Sequence, residues 1–172
     1  MPAPEPTDIT ATSRLEAIRS SLTTTATPTT ATAMSPTPSS PITCHVLNTL
    51  SGTPASSLPA TLSLLTPPAT TASPQPVVSF YATTDADGRV KEWSPSSATA
   101  GHQSVHELLE DYKQGEKVPF SIKFAVGQWY EDQGVESFWP EVEVKFYVKK
   151  GERHYHVPVL LGPWNFSSYR GS

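Results

Sequence analysis

The chain is poor in cysteine, in charge and in long apolar runs. Cys44 is the single cysteine among 172 residues, so no intrachain disulfide can staple the fold, and a reducing compartment is expected. Charged residues make up 16% and hydrophobic residues 37%, both below ordinary globular usage. Lysine and arginine number 12 against 16 acidic residues, for a formal net charge of -4. No basic face is available for a phosphate backbone, which disfavours nucleic acid as a partner. A locally basic pocket for a small anion stays open. No apolar stretch is long enough to cross a bilayer, and the N-terminus has no secretory hydrophobic core. An intracellular protein without a membrane partner is therefore expected. The absence of a Gly-rich phosphate loop and of strand–helix alternation disfavours a nucleotide-binding fold.

Proline, in contrast, is plentiful at 18 residues. Residues 1–40 are dominated by Ser, Thr, Ala and Pro. Such a segment has too little apolar surface to offset the entropy of ordering, so a disordered tail is expected, followed by one domain over 41–172. Arg14 to Leu22 differs from its surroundings and has the pattern of a short amphipathic helix. It also resembles an N-terminal peroxisomal import signal, except that Ser21 stands where a histidine belongs. The expected location is peroxisomal or cytoplasmic.

From Ile42 onward, short runs at period two alternate with Gly, Pro, Asn and Asp. Strands are predicted over 42–48, 60–65, 77–83, 88–93, 118–126, 141–149 and 154–161, with an eighth near Ser167. The clearest half-buried pair is Val118/Phe120/Ile122/Phe124/Val126 and Val142/Val144/Phe146/Val148, each set pointing to one face. One segment breaks the pattern. Val105, Leu108, Leu109 and Tyr112 fall at helical spacing, Ser104 can cap the helix, and Glu107 can complete a capping box. Residues 66–76 and 94–103 read as loop insertions. The sum is an all-β, mainly antiparallel sandwich with one short helix.

Three polar clusters interrupt this structural text. His45 shares a strand face with Thr43 and Leu47, while Ile42, Cys44 and Val46 point the other way. Arg89 follows the tight turn Asp85-Ala86-Asp87-Gly88. The third cluster is His154-Tyr155-His156 with the terminal Tyr169-Arg170-Gly171-Ser172, which reads either as a docked tail or as a last strand closing a sheet edge. Cys44 sits in an apolar run, which favours a small buried residue over a nucleophile. His154 and His156 project to one side and could, with His45, ligate zinc. Neither the cysteine nor a nearby carboxylate completes a familiar ligand set, so no metal site is assigned. A lone strand histidine is usually structural, and spacing alone gives each of these that reading.

Thr43-Cys44-His45-Val46-Leu47-Asn48-Thr49, with Gly52 and Pro54, resembles the opening motif of the 5-hydroxyisourate hydrolases of the transthyretin-like family. Thr84-Asp85-Ala86-Asp87-Gly88-Arg89 is similar to that family's Arg-bearing turn, and Phe138-Trp139-Pro140-Glu141-Val142 to its strand entry. His154-Tyr155-His156-Val157-Pro158 through Pro163, followed by Tyr169-Arg170-Gly171-Ser172, resembles the signature separating these enzymes from the carrier transthyretin. Cys44, Asn48 and Gly162 depart from a usual Thr, Asp and Ser, and two loops are longer.

The resemblance implies a transthyretin-like sandwich in a homotetramer, a dimer of dimers, with active sites in the channel between dimers. It implies cofactor-free hydrolysis of a purine-derived small molecule, 5-hydroxyisourate, to 2-oxo-4-hydroxy-4-carboxy-5-ureidoimidazoline in urate breakdown. His45, Arg89 and His156 are the implied catalytic residues. His45, Arg89, Tyr169, Arg170, Gly171 and Ser172 are the implied substrate-binding set. Either His45 or His156 takes a proton from water, the other passes one to the leaving nitrogen, and Arg89 steadies the developing oxyanion. Two rival classes remain: a small-ligand carrier without catalysis, and a structural sandwich acting through its loops.

Overall fold

The structure, a computed structural model, describes residues 40–65, 78–97 and 101–172. All but the last residue of the predicted tail, the Arg14–Leu22 patch and the 66–76 insertion lie outside the described residues.

Strands β1 (Ile42–Asn48), β2 (Thr53–Pro54), β3 (Pro59–Leu64), β4 (Ser79–Thr83), β5 (Arg89–Val90) and β6 (Ser94–Pro95) precede helix α1 (Val105–Glu110). Strand β7 (Lys117–Phe124), helix α2 (Val126–Glu131), β8 (Val142–Lys149), β9 (Tyr155–Leu161) and β10 (Phe166–Ser168) complete the described elements. They form two sheets. One runs β10-β9-β1-β2 with β5 also paired to β1, and the other runs β6-β4-β3-β7-β8. Fully buried Ile42, Val46, Leu62, Phe80, Phe120, Ile122, Phe124 and Leu161 form the core. Each such side chain contributes roughly 1.5–3 kcal/mol of burial free energy, which is why the alternation at period two sets which face of each strand is outside.

Ser94–Pro95, read as part of the 94–103 loop insertion, forms β6 against β4. The all-β sandwich is otherwise as the alternation predicts, with two larger differences. Two helices, not one, lie among the described residues. The β7 pattern stops at Phe124, and α2 opens at Ala125 without a side-chain cap. Buried Val126 and Tyr130 turn inward at i, i+4 spacing, and Tyr130 Oη donates to Asn48 Oδ1 at 3.0 Å and to the Leu161 carbonyl at 3.1 Å. Gly127 allows the close approach there, since a Cβ would stand 3.0 Å from the Pro140 backbone and force it to shift. The second difference is that β1 and β9 pair in parallel over seven positions, from Ile42↔Tyr155 to Asn48↔Leu161. In α1, Ser104 Oγ accepts from Glu107 N as predicted, but Glu107 Oε2 accepts from Gln103 N and not from the cap itself. Among the described residues, no helix is long and apolar enough to cross a membrane.

Candidate active site

Arg89 is placed by its turn. Asp85 Oδ1 accepts from Asp87 N at 3.0 Å and from Arg89 N at 2.9 Å, and Gly88 N donates to the Asp85 carbonyl at 2.9 Å. The Arg89 N–H, and after it the Lys91 ammonium, hold the Asp85 carboxyl below its usual range. Gly88 has φ of +71°, and a Cβ there would collide with the Val46 carbonyl oxygen. Only glycine combines that conformation with that approach. The chain leaves the turn as β5, whose Arg89 is the cross-strand partner of His45.

On β1, Ile42, Cys44 and Val46 are fully buried, leaving Thr43, His45 and Leu47 on the outer face. On β9, Tyr155, Val157, Val159 and Leu161 face the core, leaving His156, Pro158 and Leu160 on the outer face, where Pro158 is nonetheless buried. The parallel register puts Thr43 opposite His156 and His45 opposite Pro158. Thr43 Oγ1 then lies 2.9 Å from His156 Nδ1 and 2.9 Å from His154 Nε2. The two imidazoles stack with centroids 6.2 Å apart. The sequence reading places Thr43 on His45's face and gives it no role; that shared face was the available signal.

The chain end returns to the same place. β10 pairs with β9 through Ser168↔Val159, and Gly171 N donates to the His156 carbonyl at 2.9 Å. A Cβ on Gly171 would stand 2.7 Å from His156 Cδ2 and 3.0 Å from Pro158 Cγ. Thr43, Arg89, Lys91, His154, His156 and Ser172 line a cleft of about 470 Å³ on this face. His45 lies on the same face beside Arg89 but outside that lining. Tyr169 and Arg170, between the β10 pairing and the Gly171 contact, are not part of that lining. They line a second cavity, of about 400 Å³, that His156 also touches. There Arg170 pairs with Glu152 at 2.6 Å and lies over the Tyr155 ring.

Burial holds His156 below the usual histidine range, and the Arg89 guanidinium, His154 and His45 add to the effect. A ring kept neutral near pH 7 can accept a proton. Arg89 supplies a permanent, forked donor for developing negative charge in the same cleft. Cys44, by contrast, is fully buried with its thiol pushed up to about 12 by desolvation, which rules it out as a nucleophile. Among the described residues, no three His, Cys, Asp or Glu side chains come together as a metal ion requires.

Fold and cleft together define a transthyretin-like sandwich that carries imidazoles and a guanidinium on the outer face of one sheet. The chain belongs to the HIUase/Transthyretin family, which matches residues 42–171. It is 36% identical over 140 residues to the "Probable 5-hydroxyisourate hydrolase" of Schizosaccharomyces pombe, covering 80% of this chain and 96% of that protein. It is 35% identical over 137 residues to the 5-hydroxyisourate hydrolase of Mus musculus, covering 79% of this chain and 98% of that one. The structure of sea bream transthyretin in complex with thyroxine superposes with a TM-score of 0.55 at 22% identity, over 76% of this chain and 94% of that chain. Since that fold also carries a ligand, the fold alone does not separate enzyme from carrier, and the residues of the cleft must.

Proposed function

We propose that the chain hydrolyses 5-hydroxyisourate, with His45, Arg89 and His156 as its catalytic groups and residues 169–172 closing the substrate site. The observation that carries this reading is the meeting of Arg89 and His156 in one cleft, with the terminal Ser172 on its wall. A ring amide is opened when water adds to the carbonyl carbon and the C–N bond breaks. His156, kept neutral, takes the proton from water as the C–O bond forms. Arg89 donates to the oxygen that gains charge. A proton then passes to the leaving nitrogen, either from His156 itself or from His45, the cross-strand neighbour of Arg89. The product is the ring-opened carboxylate, and every electron pair comes from water or the amide, so no cofactor enters the balance.

The working protein is a homotetramer whose catalytic domain spans 41–172, and it acts inside the cell. The assembly is supported by exposed Leu160 on the face bearing the site, by exposed Tyr147 and Tyr169, and by β8 and β10 standing at sheet edges. Facing copies would close the open clefts and bring Tyr169 and Arg170 towards substrate. The test is the loss of ultraviolet absorbance of freshly generated 5-hydroxyisourate. Acceleration over buffer, lost with Arg89→Ala, is expected; no acceleration would leave the carrier reading ahead.

A further inference from the structure

Thr43 is only 9% exposed, His156 is half-buried, and His154 is open to solvent. The Thr43 hydroxyl sits at 2.9 Å from both rings, on His156 Nδ1 and His154 Nε2. A hydroxyl has one proton to give and lone pairs to accept with. If it donates to one ring and accepts from the other, the two neutral rings carry their protons on the same kind of nitrogen. In one state both carry Nδ1–H: His156 donates to Thr43, and Thr43 donates to His154. In the other both carry Nε2–H, and the direction is reversed. The first state leaves His156 Nε2 bare and able to accept. The second leaves it loaded and able to give.

We propose that Thr43 is a proton relay that switches His156 between base and acid within one turnover, with His154 as the outer proton store. The inference rests on the hydrolase reading above. As water attacks, its proton goes to His156 Nε2, the Nδ1 proton moves to Thr43 Oγ1, and the hydroxyl proton moves to His154 Nε2. When the C–N bond breaks, His156 Nε2 gives its proton to the nitrogen and the chain runs back, so no net proton is gained. The positive charge thus rests on exposed His154. Left on His156, it would be opposed by Arg89, His45 and His154, with Lys91 on the same cleft wall. In this scheme Thr43 acts on the protons of the two rings and makes no bond to the reacting atoms.

The experiment has two arms on the full-length chain. Nitrogen-15 spectra of the histidine rings are expected to show His154 and His156 in the same tautomer, uncoupled in Thr43→Val. Finding His156 Nδ1–H together with His154 Nε2–H, both donated to Thr43, would overturn the relay. In the hydrolysis assay, Thr43→Val is expected to lower kcat about 10–100-fold, in the range of one lost acid–base contribution, with KM nearly unchanged. Thr43→Ser should recover most of that loss. His154→Ala added to Thr43→Val should cost little more, since both act in one unit. A Thr43→Val enzyme with wild-type kcat and pH profile would also sink the relay. The ring tautomers decide it independently of turnover, whereas a wild-type chain inert towards 5-hydroxyisourate would overturn the hydrolase reading instead.

Discussion

Gly171→Ala tests whether the chain end positions the catalytic ring. The added methyl would stand 2.7 Å from His156 Cδ2, 3.0 Å from Pro158 Cγ and 3.2 Å from Pro158 Cδ. Optimal carbon separation is about 3.5–4.0 Å, so something must move by close to an ångström. Pro158 cannot give way, because it is a buried ring held in β9 between two paired strands. Either His156 rotates off its bond to Thr43, or the tail lifts and loses the 2.9 Å bond from Gly171 N. Both misplace the ring against Arg89. A displacement of that size costs on the order of 10²-fold in rate. Stability should change by less than about 1 kcal/mol, because one exposed-edge hydrogen bond is at stake. The check is kcat/KM for 5-hydroxyisourate alongside thermal unfolding of both proteins. A variant with unchanged kcat/KM would refute the claim that the tail holds His156, and an equal loss of folding would show the glycine to be structural.

Further outcomes follow from the same geometry. Arg89→Ala should lower kcat about 10²-fold or more, as for loss of an oxyanion donor; Arg89→Lys should not restore it, because an ammonium lacks the fork. Burial first, and Arg89 next, hold His156 down, so in Arg89→Ala the acid limb of the residual activity should move to higher pH. The folded His156 value lies below the unfolded value of about 6.5, so the unfolded chain binds the proton more readily. Its contribution to stability is complete above that value and falls as pH drops towards the folded value; His156→Ala should flatten this part of a denaturation-versus-pH curve. Cys44, buried and shifted to about 12, should resist thiol reagents at pH 8 until denaturant is added, with activity intact. Tyr130→Phe removes the hydroxyl that Asn48 Oδ1 and the Leu161 carbonyl share, but both keep donors in Leu50 N and Thr49, so it should cost only about 0.5–1.5 kcal/mol in chemical denaturation with little change in KM.

The legible part of this fold is the part that repeats at period two. β1, β7, β8 and β9 alternate, and their faces follow from that alternation. Helix α2 does not stand out because Val126 continues the apolar set of β7, Ala125 offers no cap, and Gly127 reads as a breaker although it is there for contact with Pro140. Its signal was the pairing of Val126 with Tyr130 at i, i+4. The parallel pairing of β1 with β9 had no local signal at all. Parallel neighbours need a long crossover, and here that crossover is most of the sandwich.

That pairing is also why the site could be named residue by residue yet not assembled from the sequence. Alternation puts Thr43 and His45 on one face of β1, and His154 and His156 on one side of β9, but a parallel register can slide by two residues without exposing any core side chain. Sliding β9 by two would set His45 opposite His156 and leave Thr43 against His154 alone. In the observed register, Thr43 sits across from His156 and reaches both rings, while His45 is the cross-strand partner of Arg89. The same register lets Gly171 reach the His156 carbonyl from the far side of β9. Burial therefore selects the face of the sheet, and contacts outside the core — a threonine on one flank of His156 and a glycine on the other — accompany the one register that yields a usable cleft. Changes at Thr43 and Gly171 should accordingly weaken catalysis far more than folding, whereas changes at Ile42, Val46 or Leu161 should do the reverse.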